Sequence, residues 1–229
     1  MGISAVIPVR EGSSRVKNKN IRSFGNSSLL EIKIDQLKRI NRIDHIIVSS
    51  DSNKMLNIAK EKGVIAIERP DIYCDEKSKS FNEVVSYIAK EQVQDDIMMW
   101  TPCVCPLLSD RSLVEGIKLF ENVNEKYDSI ATATLIKEYI FDENGPINFS
   151  VANHVKSQDL PNWHYIVNGF FIAKREAMEN WGFVYGPNPY LFEINKYEAI
   201  DIDDILDFDV AEMLYLKMKG ENKGELFNS

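Results

Sequence analysis

At 229 residues the chain has room for one large α/β domain and little space for a second. A net charge of −8 excludes the broad basic face of a general nucleic-acid binder. No apolar run approaches the roughly 20 residues that cross a bilayer, and three cysteines make a disulfide framework unexpected.

Apolar and amphipathic blocks alternate along the chain. Met1 to Val9 is apolar but too short for a signal peptide, and is expected as a first buried strand. Leu30, Ile34, Leu37 and Ile40 form a stripe at helical spacing within 29–40. His45 to Ser50 is rich in Ile and Val and reads as a second strand. Leu56 to Lys62 predicts a helix that ends at Gly63, and Val64 to Ile67 restarts a strand. Ser80 to Val93 reads as helix, Ile97 to Trp100 as strand, and Ser109 as the cap of a helix through Phe120. Ser129 to Leu135 is again strand-like. The pattern loosens over 137–161, where Gly145, Pro146 and several Asn residues suggest an inserted hairpin or arm. Such an arm either covers an active site or reaches a partner subunit, or is a plain surface excursion. Tyr165 to Ala173 and Ala199 to Ile202 return to strand composition, and Leu206 to Lys217 predicts a last amphipathic helix. This alternation implies βαβ units, a mostly parallel sheet and three α/β/α layers in a single domain over 1–229.

The first loop carries the strongest chemical signal. Between Arg10 and Arg22 stand five basic residues, Arg10, Arg15, Lys17, Lys19 and Arg22, against the single acid Glu11. A basic island in an acidic chain suits a small polyanion. The loop follows a strand and precedes a helix, which places it at the carboxyl end of the sheet, where ligands bind. Gly12, Ser13 and Ser14 let the backbone turn its amides toward phosphate oxygens. Arg10 and Lys19 can offset triphosphate charge. The spacing is neither GxxxxGK[ST] nor GxGxxG, so a P-loop ATPase and a Rossmann dehydrogenase both lose ground.

At the other end, Asp201 and Asp203 flank Ile202. On a strand both carboxylates would share one face. Two like charges so close need a cation or protons, and Mg²⁺ prefers such oxygen ligands while keeping waters and phosphates in its shell. Asp204 and Asp207 adjoin them, and not all four can be ligands.

Five segments in order carry a resemblance: the strand with Arg10-x-x-Ser13 and Lys19-Asn20; Val48 to Ser52; Glu68-Arg69-Pro70 with Asp75 and Ser80; Asn168-Gly169; and Ala199 to Asp203 with Asp207-Phe208 and Ala211-Glu212. Over residues 3 to 215 the chain resembles the acylneuraminate cytidylyltransferases, the CMP-sialic acid synthetases. That resemblance implies a Rossmann-like, GT-A-like nucleotidyltransferase fold. It also implies a metal-dependent enzyme that takes CTP as co-substrate and transfers CMP to a small acidic acceptor with release of pyrophosphate, for surface glycan synthesis. It assigns Arg10, Lys19 and Asp203 to catalysis. CTP binding falls to Arg10, Ser13, Ser14, Arg15, Lys19, Asn20, Arg69 and Ser80. The acceptor falls to Gln158, Asn168 and Tyr185, and Mg²⁺ to Asp201 and Asp203, leaving Asp207 to hold local structure.

The departures are selective. Pro102 stands where the family has an acceptor-binding Gln, Gln158 lacks the Arg that precedes it, Ile172 replaces a tyrosine, and the second basic residue of the loop moves from Ser14 to Arg15. Nucleotide and metal positions match while acceptor positions do not. The acceptor is therefore expected to be a nonulosonic or eight-carbon sugar acid, with a phosphate or phosphonate on Arg15, Lys17 and Lys156 as the alternative. A nucleotide-binding module without chemistry, or a transferase using UTP or GTP, are the other readings. A homodimer through the 137–161 arm, a cytoplasmic setting and no membrane or nucleic-acid partner complete the expectations. Cys103 and Cys105, with only Cys74 beside them, read as buried small hydrophobes in preference to a zinc site.

Overall fold

A computed structural model describes residues 2–12, 15–75, 77–123 and 126–220. Seven strands form one sheet: β1 (Ile3–Pro8), β2 (His45–Ser50), β3 (Ile65–Glu68), β4 (Ile97–Trp100), β5 (Ser129–Ile136), β6 (Trp163–Lys174) and β7 (Pro189–Glu193). Their order is β7-β5-β6-β4-β1-β2-β3. β6 runs antiparallel to both neighbours, and every other pairing is parallel. The expected mostly parallel sheet is therefore present.

Side-chain alternation along β1 divides the core in two. Ile3, Ala5 and Ile7 join one buried cluster with residues of α1 (Leu29–Lys38), α2 (Asn53–Glu61), α4 (Asp110–Asn122) and α6 (Ile205–Gly220). Val6 points the other way, into a cluster with α3 (Phe81–Glu91) and α5 (Arg175–Trp181). Helices on both faces of the sheet give the three layers. Leu30, Ile34 and Leu37, the stripe seen in the sequence, are fully buried, and each such side chain contributes about 1.5–3 kcal/mol.

Local signals set the helix starts. Ser28 caps α1 by accepting from the Glu31 amide, and Ser109 caps α4 by accepting from the Ser112 amide. α1 also clamps the loop after β4. The Gln36 Nε2 donates to the Leu108 carbonyl, and its Oε1 accepts from the buried Lys33 ammonium at 3.0 Å. Arg39 holds Asp110 with two bonds, at 2.7 and 2.9 Å.

Two expectations need correction. Residues 199–203 form no strand. The amides of Ala199, Ile200 and Asp203 go to acceptors within four residues, and Ile202 is held by Val104 and Lys19, so the Ile–Asp alternation reflects burial of Ile202 and not a ladder. α6 is not amphipathic: Phe208 and Ala211 face the core while Leu206, Val210, Met213 and Leu216 are exposed on the opposite side. Sequence reading also passed over α5 and β7. The 137–161 segment holds a short hairpin, Phe141–Asp142 against Gly145–Pro146. Asn148 braces it, accepting from the Ile140 amide and donating to the Glu138 carbonyl. Among the described residues no helix is long and apolar enough to cross a membrane.

Candidate active site

The carboxyl ends of β1, β3 and β4 open onto a cleft of about 590 Å³. Its lining gathers nine of the residues singled out in the sequence: Arg10, Arg15, Lys19, Asn20, Arg69, Ser80, Asn168, Asp201 and Asp203. Ser13 and Ser14 lie outside the described residues. Gln158 sits exposed on a one-turn 3₁₀ helix of the arm, outside the lining. Tyr185 is also outside it, stacked on Phe171 and edge-on to Phe183.

The first loop leaves β1 through Gly12, whose φ of +81° suits a residue without Cβ. The Glu11 amide donates to Asp51 at 2.8 Å, and Arg10 Nη1 reaches the Cys74 carbonyl at 3.3 Å. Farther on, Asn18 adopts a left-handed conformation, φ 56°, and its carbonyl accepts from the Ile21 and Arg22 amides. Asparagine tolerates that region better than most residues. The turn so made sends Lys19 into the cleft, where its Nζ donates to the Ile202 carbonyl at 2.6 Å. Burial pushes the Lys19 pKa below its ordinary value, although Asp201 and Asp203 pull it upward.

Arg69 is 3% exposed and uses three neutral acceptors: Cys74 Sγ at 3.0 Å, Ser49 Oγ at 3.3 Å and the Val9 carbonyl at 2.9 Å. A buried guanidinium held only by neutral groups leaves its positive charge for whatever enters the cleft. Ser80 is the cap of α3 as well as a cleft residue. Its hydroxyl donates to the Glu83 carboxylate at 3.0 Å and accepts from the Glu83 amide at 3.3 Å. Lys79 and Ser80 draw the Glu83 carboxyl down to about 2, so it stays an acceptor, and the serine proton is committed to it.

The acidic corner is assembled from three directions. Buried Glu198 accepts from the Ser109 amide, the Ser112 hydroxyl and Asn195, which ties the approach loop to the start of α4. The Ile202 amide donates to the Val104 carbonyl at 2.9 Å. Asp207 accepts from the Asp203 and Asp204 amides while Asp204 caps α6 by accepting from the Asp207 amide. Asp207 thus shapes the turn, and Asp201 and Asp203 face the cleft. Asp203 pairs with Arg15 at 2.8 Å. Burial pushes the Asp201 carboxyl up; a hydrogen bond from Asn168 opposes this, Asp203 adds to it, and Lys19 opposes it again. Among the described residues no group of three or more His, Cys, Asp or Glu gathers as a metal cage.

Asn168 reaches Asp201 from a bulge. Between the pairs Ile166–Ala133 and Phe171–Ala131, β6 spends four residues where β5 spends only Thr132. The Asn168 Nδ2 donates to Asp201 Oδ2 at 2.7 Å. Gly169 is required by the close approach: a Cβ there would lie 3.0 Å from Thr132 Oγ1.

Sequence reading missed the apolar wall of the cleft, Tyr73, Phe81, Val84 and Trp100. Phe81, 47% exposed beside a helix cap, is the one whose position carried a signal. Cys103 also lines it, buried, with its thiol pushed up to about 12 by burial; it acts as the small apolar group expected.

The cytidylyltransferase family profile matches residues 4–218. The chain belongs to the cytidylyltransferase family. The acylneuraminate resemblance of its motifs holds in the relatives found. This cytidylyltransferase is 26% identical to the pseudaminic acid cytidylyltransferase of Campylobacter jejuni over 219 residues, 92% of this chain and 94% of that one. It is 24% identical to the N-acylneuraminate cytidylyltransferase of Escherichia coli, covering 99% of this chain and 55% of that longer protein. In fold it is similar to a CMP:2-keto-3-deoxy-manno-octonic acid synthetase solved with CTP, with a TM-score of 0.72 at 13% identity over 95% of this chain and 99% of that one.

Proposed function

We propose that this cytidylyltransferase transfers CMP from CTP to a nonulosonic or related sugar acid, with Mg²⁺, in the synthesis of surface glycans. The observation that carries the reading is the cleft itself. One cavity joins the cations Arg10, Lys19 and buried Arg69 to the carboxylates Asp201 and Asp203, and the relatives named above are cytidylyltransferases of pseudaminic and N-acylneuraminic acid.

In the reaction an acceptor hydroxyl oxygen attacks the α-phosphorus of CTP in line. The new O–P bond forms as the bridge between α- and β-phosphates breaks, pyrophosphate leaves with the bonding pair, and the hydroxyl gives up its proton. Protein groups position the reactants and stabilise charge. Arg10, Arg15 and Lys19, with the amides around Ser13 and Ser14, hold the triphosphate. Asn20, Arg69 and Ser80 hold the cytidine, and Asn168 stands on the acceptor side. Asp201 and Asp203 fit Mg²⁺: both are oxygen donors on one cleft wall, and Mg²⁺ needs only one or two carboxylates beside phosphate and water. When bound, the ion would polarise the α-phosphate or lower the pKa of a bound hydroxyl. The three free, buried thiols support a reducing, cytoplasmic setting.

The 137–161 segment is proposed as the contact of a homodimer within a single 1–229 domain. Phe141, Ile147 and Val151 are 60%, 47% and 72% exposed on it, apolar side chains that a second copy would cover. Gln158 and Tyr185 would then serve an acceptor site that this chain alone leaves open on that side.

The test is pyrophosphate release with Mg²⁺ and each of the four ribonucleoside triphosphates, against nonulosonic acids, eight-carbon sugar acids, and phosphate or phosphonate acceptors. Release with CTP and a sugar acid is expected. Release only with a phosphate or phosphonate would overturn the acceptor class. CTP-induced thermal stabilisation with no release from any mixture would reduce the chain to a nucleotide-binding module.

A further inference from the structure

We propose that Thr132, a buried residue of β5 that touches neither cleft nor ligand, is a positioning residue for Asp201, acting through the Asn168 bulge. The inference rests on the metal reading of Asp201 above.

Three short contacts of one hydroxyl carry it. Thr132 Oγ1 lies 2.7 Å from the Val167 carbonyl, 3.0 Å from the Phe170 carbonyl and 3.1 Å from the Phe170 amide. The hydroxyl has one proton, so it donates to one carbonyl and accepts from the amide. Val167 and Phe170 are the two ends of the four-residue excursion, and both are buried, at 1% and 0% exposure. Water therefore cannot replace the hydroxyl, and a residue without one leaves buried backbone groups unpaired.

What those ends enclose is Asn168 and Gly169. The Asn168 side chain hydrogen-bonds Asp201. A regular strand would point the Asn168 amide into the ladder with β5. The bulge carries Asn168 toward the acidic corner instead, and the Thr132 hydroxyl pairs with the backbone groups of Val167 and Phe170 that flank it. The hydroxyl thus sets the direction of the Asn168 side chain that orients the Asp201 carboxylate. Groups that orient a metal ligand in this way affect binding of the ion although they never contact it.

Thr132→Val keeps the shape and removes the hydroxyl; Thr132→Ser keeps the hydroxyl. Mn²⁺ binding is measured without nucleotide by electron paramagnetic resonance or calorimetry on the full chain, below the unfolding range of each variant. Thr132→Val is expected to weaken Mn²⁺ binding about 10-fold, and Thr132→Ser to stay within about threefold of the parent. With Mg²⁺ and saturating CTP, the same loss should appear in kcat and in the half-saturating metal concentration, and not in KM for CTP. Should Thr132→Val not fold, Gly169→Ala tests the same bulge, because its Cβ would push against Thr132 Oγ1 at 3.0 Å; it too should weaken Mn²⁺ binding. A variant that is less stable yet binds Mn²⁺ like the parent overturns the assignment and leaves Thr132 a packing residue. A parent that binds no Mn²⁺, with Asp203→Asn behaving identically, removes the metal reading and this inference with it.

Discussion

On the proposed nucleotide side of the cleft Arg69 is buried and fixed by three hydrogen bonds, and Ser80 is locked into a reciprocal cap with Glu83. On the proposed acceptor side Gln158 stands on an exposed turn, Tyr185 packs edge-on to Phe183, and Pro102 fills the place of an expected Gln. The first region is finished within one chain, with its polar groups pre-oriented at no cost on binding. The second is a rim with loose and exposed pieces. A site that reads an invariant co-substrate can be built rigidly. A site that reads one sugar acid among several must carry its specificity in residues free to differ, on loops, since changes there leave the sheet undisturbed.

The acidic corner lies at the seam between the two regions, so removing it should damage both. Asp203→Asn keeps size and hydrogen bonding but halves the negative charge offered to Mg²⁺. A loss of kcat of roughly 100- to 1,000-fold is expected, with the thermal unfolding midpoint close to that of the parent. Because Asp203 is exposed and its ion pair with Arg15 lies on the surface, its contribution to stability is small. Activity within a few-fold of the parent would show that the carboxylate pair does not take part in the chemistry.

What the sequence disclosed follows the same division. The cap Ser109 and the basic loop from Arg10 to Asn20 were legible because each depends on local order, a Ser at the head of an apolar-periodic run and a cluster of cations after a buried strand, whereas Arg69 and Ser80 were reached only through the family resemblance. The 199–203 segment misled because Ile200 and Ile202 alternate with acids at strand period. Its actual course is fixed by Glu198, Val104 and Lys19, far apart in the chain. The Asn168 bulge had no signal beyond Gly169, since Thr132 is 36 positions away. α6 defeated the amphipathic reading because Leu206, Val210, Met213 and Leu216 add an exposed apolar stripe opposite the buried one. Tertiary contact overrode periodicity in the first case and hid from it in the second.

The contrast sharpens if the arm is altered without touching the cleft. Phe141→Asp places a charge on the first strand of the hairpin, where the exposed Phe141 ring packs edge-on to Phe149. If the arm joins two copies, light scattering should show the variant as a monomer and the parent as a dimer. KM for the sugar acid should then rise about 10-fold while KM for CTP stays within twofold, as expected for loss of one or two polar contacts. A parent already monomeric at micromolar concentration would end the dimer proposal, and equal loss for both substrates would erase the distinction between the two sides.

The smallest effect probes how completely the nucleotide side is pre-set. Glu83, as an ionised carboxylate, takes the Ser80 proton, so the hydroxyl can offer a ligand only a lone pair. An exocyclic amine such as that of cytosine suits a lone pair, whereas the carbonyl at the same position of uracil would face it oxygen to oxygen. Glu83→Ala frees the hydroxyl to rotate and donate. The ratio of kcat/KM for CTP over UTP should then fall by about 5- to 10-fold, the worth of one neutral hydrogen bond. Glu83→Gln retains a carbonyl acceptor in the same capping geometry and should preserve the ratio. Both variants weaken the cap of α3 to some degree, but a weaker helix lowers the rates with the two nucleotides together. Only a serine whose proton has been spoken for moves their ratio, and a ratio unchanged in Glu83→Ala would mean that cytosine is recognised elsewhere in the cleft, with Arg69 the next residue to alter.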